Sequence, residues 1–345
     1  MTEEDESRPA RQRPARVNAQ RVSEHAGVSR SAVSRAFTPG ASIAEVTRAR
    51  VLRAAEELGY QVNDLARGLI SDRSRLVGLV VTRPEEGFRA HLTAALAKAL
   101  IGRGSVPVMI NTGETEADLG AAQRMLIGHR AEATVIVSGT PPRSFQDLAR
   151  RDGQTLLILG RAEPDADHLL ADNAAAAAQA AALFVGRGLR RLGLVGAHAA
   201  TPSVLERETA FREAAARLGA SVAWERGADS DYAGGLAAAR RLLAVRPRPE
   251  AVFCINDPLA FGVMDHARSE AGLAVPGDLA VIGFDDVPQA AWRAYGLTSF
   301  RQDPAAMAAE AVRILDLRRA EPEHPPVGRR LSAPLVVRSS FEPGS

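Results

Sequence analysis

The 345-residue sequence holds one cysteine, Cys254, so no disulfide can form within the chain and a reducing compartment is expected. Lysine is as scarce: every strong base except Lys98 is arginine. That skew can reflect genomic base composition and is not read as a nucleic-acid signal. No apolar run reaches the roughly 20 residues that a membrane-crossing helix needs. The alanine stretch Ala174–Ala182 is short and is broken by Gln179. The opening, Met1–Arg16, is polar and carries both charge signs, without the apolar centre of a secretion signal, so a cytoplasmic protein is expected. Catalytic patterns are missing as well. There is no phosphate-cradling glycine loop with lysine, no serine nucleophile elbow and no metal-spaced histidine pair. The seven histidines are scattered, and neither an enzyme nor a bound metal or cofactor is expected.

What is present is unevenly distributed. The formal net charge is only +2, yet Arg8–Arg75 contains 13 arginines against 6 carboxylates. From Leu76 onward, 30 strong bases meet 31 carboxylates. A small basic module therefore precedes a nearly neutral body, and the length itself calls for more than one core.

The basic module reads as three short helices. Asn18 is placed to cap Ala19–Ala26, Gly27-Val28 makes a turn, and Ser29 caps a second helix that runs to about Phe37. Thr38-Pro39-Gly40 stops it. A third helix opens at Ser42, with Glu45 three residues later in capping-box spacing. Within it Val46, Val51, Ala54, Ala55 and Leu58 recur at helical spacing, and Gly59 ends it.

The pattern then changes. Leu76–Val81, Val106–Ile110, Thr134–Val137, Thr155–Leu159, Leu192–Val195, Ala251–Ile255 and Leu279–Phe284 are apolar runs without alternation, as in strands covered on both faces. Helical stretches fall between them at Ala90–Ile101, Glu116–Ile127, Asn173–Val185, Glu206–Leu218, Tyr232–Leu243 and Leu259–Ala271. This alternation predicts a doubly wound α/β body in two lobes. The expected organisation is a disordered tail over 1–15, a helix-turn-helix domain over 16–61, a hinge segment over 62–75, and a two-lobed domain over 76–345.

Val22 to Arg35 carries the sharpest signal. A helix-turn-helix needs a small residue in its first helix, glycine at the turn, apolar locks between the helices and polar residues on the second helix's open face. Ser23 is the small residue, Val22, Val28 and Val33 are the locks, and Arg30, Ser31, Ser34 and Arg35 face outward. Arginine can bond a guanine edge twice, whereas serine holds phosphate or adapts to either base. An ordinary helical hairpin with a solvated polar face is the competing reading.

The residues that follow favour the first reading. Thr47-Arg48-Ala49-Arg50-Val51, Ala55 to Tyr60, Asn63, Ala66-Arg67 and Leu69 resemble the lactose-repressor/galactose-repressor (LacI/GalR) family of bacterial regulators. The resemblance continues through Asp172-Asn173, Leu189 to Val195, Glu206-Arg207, Asn256-Asp257, Val275 to Asp278, Gly283 to Asp286, Leu297 to Ser299 and Ala333 to Ser340. It implies an N-terminal all-α helix-turn-helix domain followed by an α/β domain resembling periplasmic sugar-binding proteins, with two doubly wound lobes. It also implies operator contacts from Asn18, Ser29, Arg30, Ser31, Ser34, Arg35, Asn63 and Arg67. Leu69 matches a leucine that wedges into the minor groove and bends the duplex. Departures are Ser23 and Ala44, Val62 for a usual proline, and Gly68, which should cost the hinge helix about 1 kcal/mol.

For the body, the resemblance implies a ligand held between the lobes by Arg207 and Asp257. Phe88 and Trp292 fall where pocket aromatics often lie, with core packing the alternative for each. Arg207 pairing with Glu206 or Glu208, and Asp257 capping the helix near Pro258, are the bland alternatives. Adjacent Asp285 and Asp286 should point in opposite directions, which argues against an acid/base dyad, and Asp172 should cap a helix. Gly160 stands where several relatives have a sugar-binding aspartate, and Arg161 next to it either favours an acidic ligand or faces solvent. The expected partners are double-stranded operator DNA, a sugar-like effector and a second copy of the chain. No heptad repeat supports a larger assembly. A transport protein without a secretion signal and a nucleoid-type DNA binder with a large unused cleft both fit less well.

Overall fold

The computed structural model describes residues 17–38, 40–60, 74–112, 115–137, 143–198 and 201–343. The chain divides into two compact units, which part between Ser74 and Arg75.

In the first unit, α1 (Ala19–Ala26), α2 (Arg30–Ala36) and α3 (Glu45–Glu57) enclose a small core of Val22, Ala26, Val33, Ala36, Val51, Ala54 and Ala55. The expected caps are made. Asn18 Oδ1 accepts from the Arg21 amide at 3.0 Å, and Ser29 Oγ accepts from the Ala32 amide at 3.2 Å. Gly27 takes a left-handed φ of 61°, which lets α2 turn back across α1. Ser23 is buried, and its hydroxyl donates to the Gln20 carbonyl instead of remaining an unpaired group in the interface. The start of α3 differs from expectation. Its N-cap is Ala44, without a side-chain bond, so the Ser42–Glu45 box does not form. Val46 is 82% exposed and takes no part in the core. Arg48 instead reaches back to the carbonyls of Ala36 and Ala41, fixing the loop between α2 and α3.

The second unit holds two six-stranded sheets. One consists of β1 (Leu76–Val81), β2 (Val106–Asn111), β3 (Ala133–Ile136), β4 (Thr155–Leu159), β5 (Asp167–Ala171) and β11 (Gly328–Leu331), in the order β11-β5-β4-β3-β1-β2, all parallel. The other consists of β6 (Arg191–Ala197), β7 (Ser221–Gly227), β8 (Ala251–Cys254), β9 (Ala280–Asp285), β10 (Thr298–Arg301) and β12 (Leu335–Val336). Its order is β12-β10-β9-β8-β6-β7, parallel except for β12. The first lobe carries α4 (Gly87–Arg103), α5 (Glu116–Gly128), α6 (Arg143–Arg151) and α11 (Pro304–Ala320), the last packed on α4. The second carries α7 (Asn173–Gly186), α8 (Pro202–Arg217), α9 (Tyr232–Ala244) and α10 (Asp257–Ser269).

The fully covered runs behave as their lack of alternation predicts: Val77–Val81 and Ala251–Cys254 are buried along their lengths. The chain crosses between the lobes three times, near residues 172, 302 and 333. The crossings are tied side by side, Asp172 donating its amide to Leu331 and Arg301 to Pro334, each at 2.8 Å. Parallel strands place their C-terminal ends, and the loops that follow, at one edge of each sheet. Ligands of such sheets bind at that edge. No helix of the described residues is long and apolar enough to cross a membrane.

Candidate functional site

Two constellations carry chemistry. On the first unit, α2 buries Ala32, Val33 and Ala36 and leaves Arg30, Ser31, Ser34 and Arg35 exposed, as the spacing requires. Asn18 and Ser29 are exposed beside them, and the hydroxyls of Ser29 and Ser31 lie 2.9 Å apart. Among the described residues, the guanidinium of neither Arg30 nor Arg35 has a hydrogen-bond or ion-pair partner. Arg30 also places a cation in the first turn of a helix, where the backbone dipole disfavours it by about 0.3–1 kcal/mol. A stability argument does not account for it. Asn63, Arg67 and Leu69 lie outside the described residues, as do most of the hinge positions.

On the second unit, the segments at the C-terminal edge of the second sheet converge on Arg207. It comes from α8, lies 6% exposed, and is not paired with its neighbours in sequence. Glu208 bonds Arg226 and Glu206 bonds Arg330. Arg207 Nε donates to Asn173 Oδ1 at 2.8 Å, Nη1 donates to the Ile255 carbonyl at 2.7 Å, and the guanidinium lies 3.5 Å from the centre of the Phe284 ring. Asp285, at the end of β9, brings Oδ1 to 3.7 Å from Nη1 and accepts from Gln302 Nε2 at 2.6 Å. Nη2 of Arg207 and Oδ2 of Asp285 have no hydrogen-bond partner among the described residues. The pair therefore keeps both donor and acceptor capacity that the described residues do not use.

Burial governs the charges. It pulls the Arg207 guanidinium down to about 10, against the pull of Asp285, Asp257 and Glu206, so it stays cationic at neutral pH. It pushes the Asp285 carboxyl up to about 6, with Arg207 opposing. Asp285 and Asp286 have φ of 116° and 53°, a region that costs residues with a Cβ about 1–3 kcal/mol and is found most often at functional sites. As expected they diverge: Asp286 pairs with Arg301 and Arg338, away from Arg207.

Asp257 has a different place from the one expected. Asn256 is the N-cap of α10, accepting from the Leu259 amide, so Asp257 does not cap. Its carboxylate is fully buried, accepting from Ser299 Oγ at 2.5 Å and the Val287 amide at 2.8 Å. Burial and the nearby Asp285 charge push its carboxyl well up. A Cβ on Gly283 would collide with Oδ1, which explains glycine there. Asp257 braces the loop after β9; the carboxylate beside Arg207 is Asp285. Sequence reasoning missed that role because nothing local distinguishes Asp285 from Asp286.

The other candidates are dispersed. Phe88 is half-buried and packs on the core of the first lobe, in line with its core alternative. Arg161 is paired with Glu163 at 2.7 Å, and Gly160 before it adopts φ 79°. Trp292 is 56% exposed, following a 3-10 turn over Pro288–Ala291. Asp172 caps α7 as expected, accepting from the Ala175 amide. The two lobes meet around this edge: Arg83 of the first forms an ion pair with Asp229 of the second, and Arg89 contributes to the field at Asp285.

Comparison with known proteins agrees with this geometry. Residues 20–63 match the family described as bacterial regulatory proteins, lacI family, and residues 181–341 match the periplasmic binding protein-like domain. The HTH-type transcriptional repressor PurR of Photobacterium profundum is 27% identical over 306 residues, covering 87% of this chain and 91% of the relative. A transcriptional regulator CelR–cellobiose complex aligns with a TM-score of 0.71 and 28% identity, over 94% of this chain and all of its own. The lac repressor dimer bound to operator and the anti-inducer ONPF shares the fold, at a TM-score of 0.85 and 22% identity over 94% of this chain and 99% of its own. The chain thus carries a lacI-family helix-turn-helix domain ahead of a two-lobed periplasmic-binding-protein-like domain.

Proposed function

We propose that the protein is a repressor that binds its operator as a homodimer through α2, acts by binding alone without catalysis, and is controlled by a neutral sugar or sugar derivative held at Arg207 and Asp285. The observation that carries the effector reading is the buried Arg207–Asp285 pair. Its formal charges cancel, and it keeps unused donor and acceptor capacity, suited to the hydroxyls of a polyol. The Phe284 ring is covered by the guanidinium, so it braces Arg207 and does not offer a stacking face. An acidic effector is disfavoured because Arg161 is already neutralised by Glu163. The cellobiose in the CelR complex supports a carbohydrate for this chain as well.

The test is a thermal-shift screen of the full chain against sugars, sugar acids, sugar phosphates and nucleosides. A ligand that binds only the folded state must raise the melting temperature. A shift with neutral sugars that disappears in Arg207→Ala supports the reading. Shifts confined to phosphates or nucleosides overturn it. For the DNA half, residues 62–75 act as the hinge and Leu69 as the wedge. Leu69→Ala should weaken binding to an operator selected from random DNA and reduce its bending, with effector response intact. Equal bending by mutant and parent would sink the wedge assignment.

A further inference from the structure

The cradle around Arg207 does not end at the cleft. Asn173, 1% exposed, uses both ends of its amide: Oδ1 accepts from Arg207 Nε, and Nδ2 donates to Glu206 Oε2 at 3.1 Å. The other oxygen of Glu206 accepts from Arg330 Nη1 at 2.8 Å. Arg330 lies on β11, in the first sheet, whereas Glu206, Asn173 and Arg207 belong to the second lobe. One continuous line of hydrogen bonds therefore runs from one lobe, across the crossings, to the guanidinium. On its far side Asp285 is held by Gln302, on the second crossing.

We propose that Arg330, Glu206 and Asn173 form a strap that positions Arg207 and makes its geometry depend on the angle between the lobes. This rests on the effector reading of the cleft, yet it concerns residues that touch no ligand. Stability alone does not explain the outer link. The Arg330 and Glu206 side chains are 48% and 26% exposed, and such pairs contribute little to folding. The inner link has no slack, because turning the Asn173 amide would strand a buried donor and a buried acceptor together. A change in lobe angle that shifts Arg330 is thus passed through one carboxylate and one amide to Arg207 Nε. By reciprocity, a ligand that fixes Arg207 favours one lobe angle. The two-state element is the set of three crossings between the lobes, and the strap links their angle to Arg207.

The experiment needs no effector. In full-length protein with 15N-labelled arginine, the Nε–H resonance of Arg207 is assigned by its loss in Arg207→Lys. Arg330→Gln, a surface change in the opposite lobe, should shift or broaden that resonance, and Arg330→Lys should restore it. Asn173→Ala should abolish its protection from exchange, and Glu206→Gln offers a milder variant should Asn173→Ala not fold. An unchanged resonance in Arg330→Gln would overturn the strap and leave Asn173 as a local brace. Failure of the sugar screen would leave this measurement unaffected, so the two readings fail separately.

Discussion

The arginines of α2 and the arginine of the cleft are the same residue put to opposite uses. Arg207 is buried, is held through Nε, Nη1 and its π face, and has one nitrogen free of protein partners. Arg30 and Arg35 are exposed, their guanidinium groups without partners among the described residues. The first arrangement loses its rotamer entropy during folding, so a small ligand with few contacts can still bind. The second retains that entropy until a large polyanion supplies many contacts at once. Preorganisation belongs where the partner is small, and adaptability where the partner is long.

The comparison can be broken most forcefully at the cleft. Arg207→Ala leaves buried Asp285 without its cation and Asn173 Oδ1 and the Ile255 carbonyl without their donor, and should reduce effector affinity by at least about 100-fold, measured by titration calorimetry. Retained affinity would mean that the preorganised donor is idle. Arg30→Ala should cost about 1–3 kcal/mol of discrimination at one base pair of the selected operator. A uniform loss across sequences, with the dependence of log affinity on log salt flattened by about one unit, would assign Arg30 to a phosphate and not to a base.

A smaller effect comes from pH. Because the folded-state Asp285 carboxyl sits at about 6, above its ordinary value of 3.8, lowering the pH through 6 replaces the ionised acceptor with a neutral acid. Effector affinity should hold above pH 7 and fall by up to about tenfold per unit below 6. The stability of the unliganded protein runs the other way for this group. Its contribution is present below pH 3.8 and is lost as pH rises through 6, so ligand-induced and intrinsic melting shifts should diverge on acidification. The smallest effect is at the other unit's cap. Asn18→Ala should destabilise the α1–α3 unit by about 1 kcal/mol, read as earlier hydrogen exchange at Arg21 with the cleft unaffected.

Much of the architecture was legible where burial leaves a one-dimensional trace. Thr155–Leu159 is a continuous apolar run and is β4 to the residue, because both faces of that strand are covered. β7 escaped reading: it is an edge strand, and Trp224, Glu225 and Arg226 show the partial exposure of an edge. The α11 signal was present but muted, since alanine provides two of its five buried apolar positions, Met307, Ala308, Ala311, Ile314 and Leu315. Arg207 was found by its resemblance to a motif. Its true partner was not, because pairing with Asp285 depends on how two distant loops meet and leaves no spacing to read. The Ser42–Glu45 box was a plausible local pattern that the packing of Arg48 against the preceding loop leaves unused.

The three crossings also set an order of manufacture. The first sheet cannot take up its edge strand β11 until Leu331 has been synthesised, although β1–β5 are complete by Ala171. The second sheet waits still longer, because Thr298 bonds to the carbonyls of Arg338 and Phe341. During translation, therefore, neither lobe can close on its own, and both carry open sheet edges on the ribosome until the last stretch emerges. Nascent chains of this protein should thus depend on holding chaperones far more than a chain whose two domains follow one another in sequence.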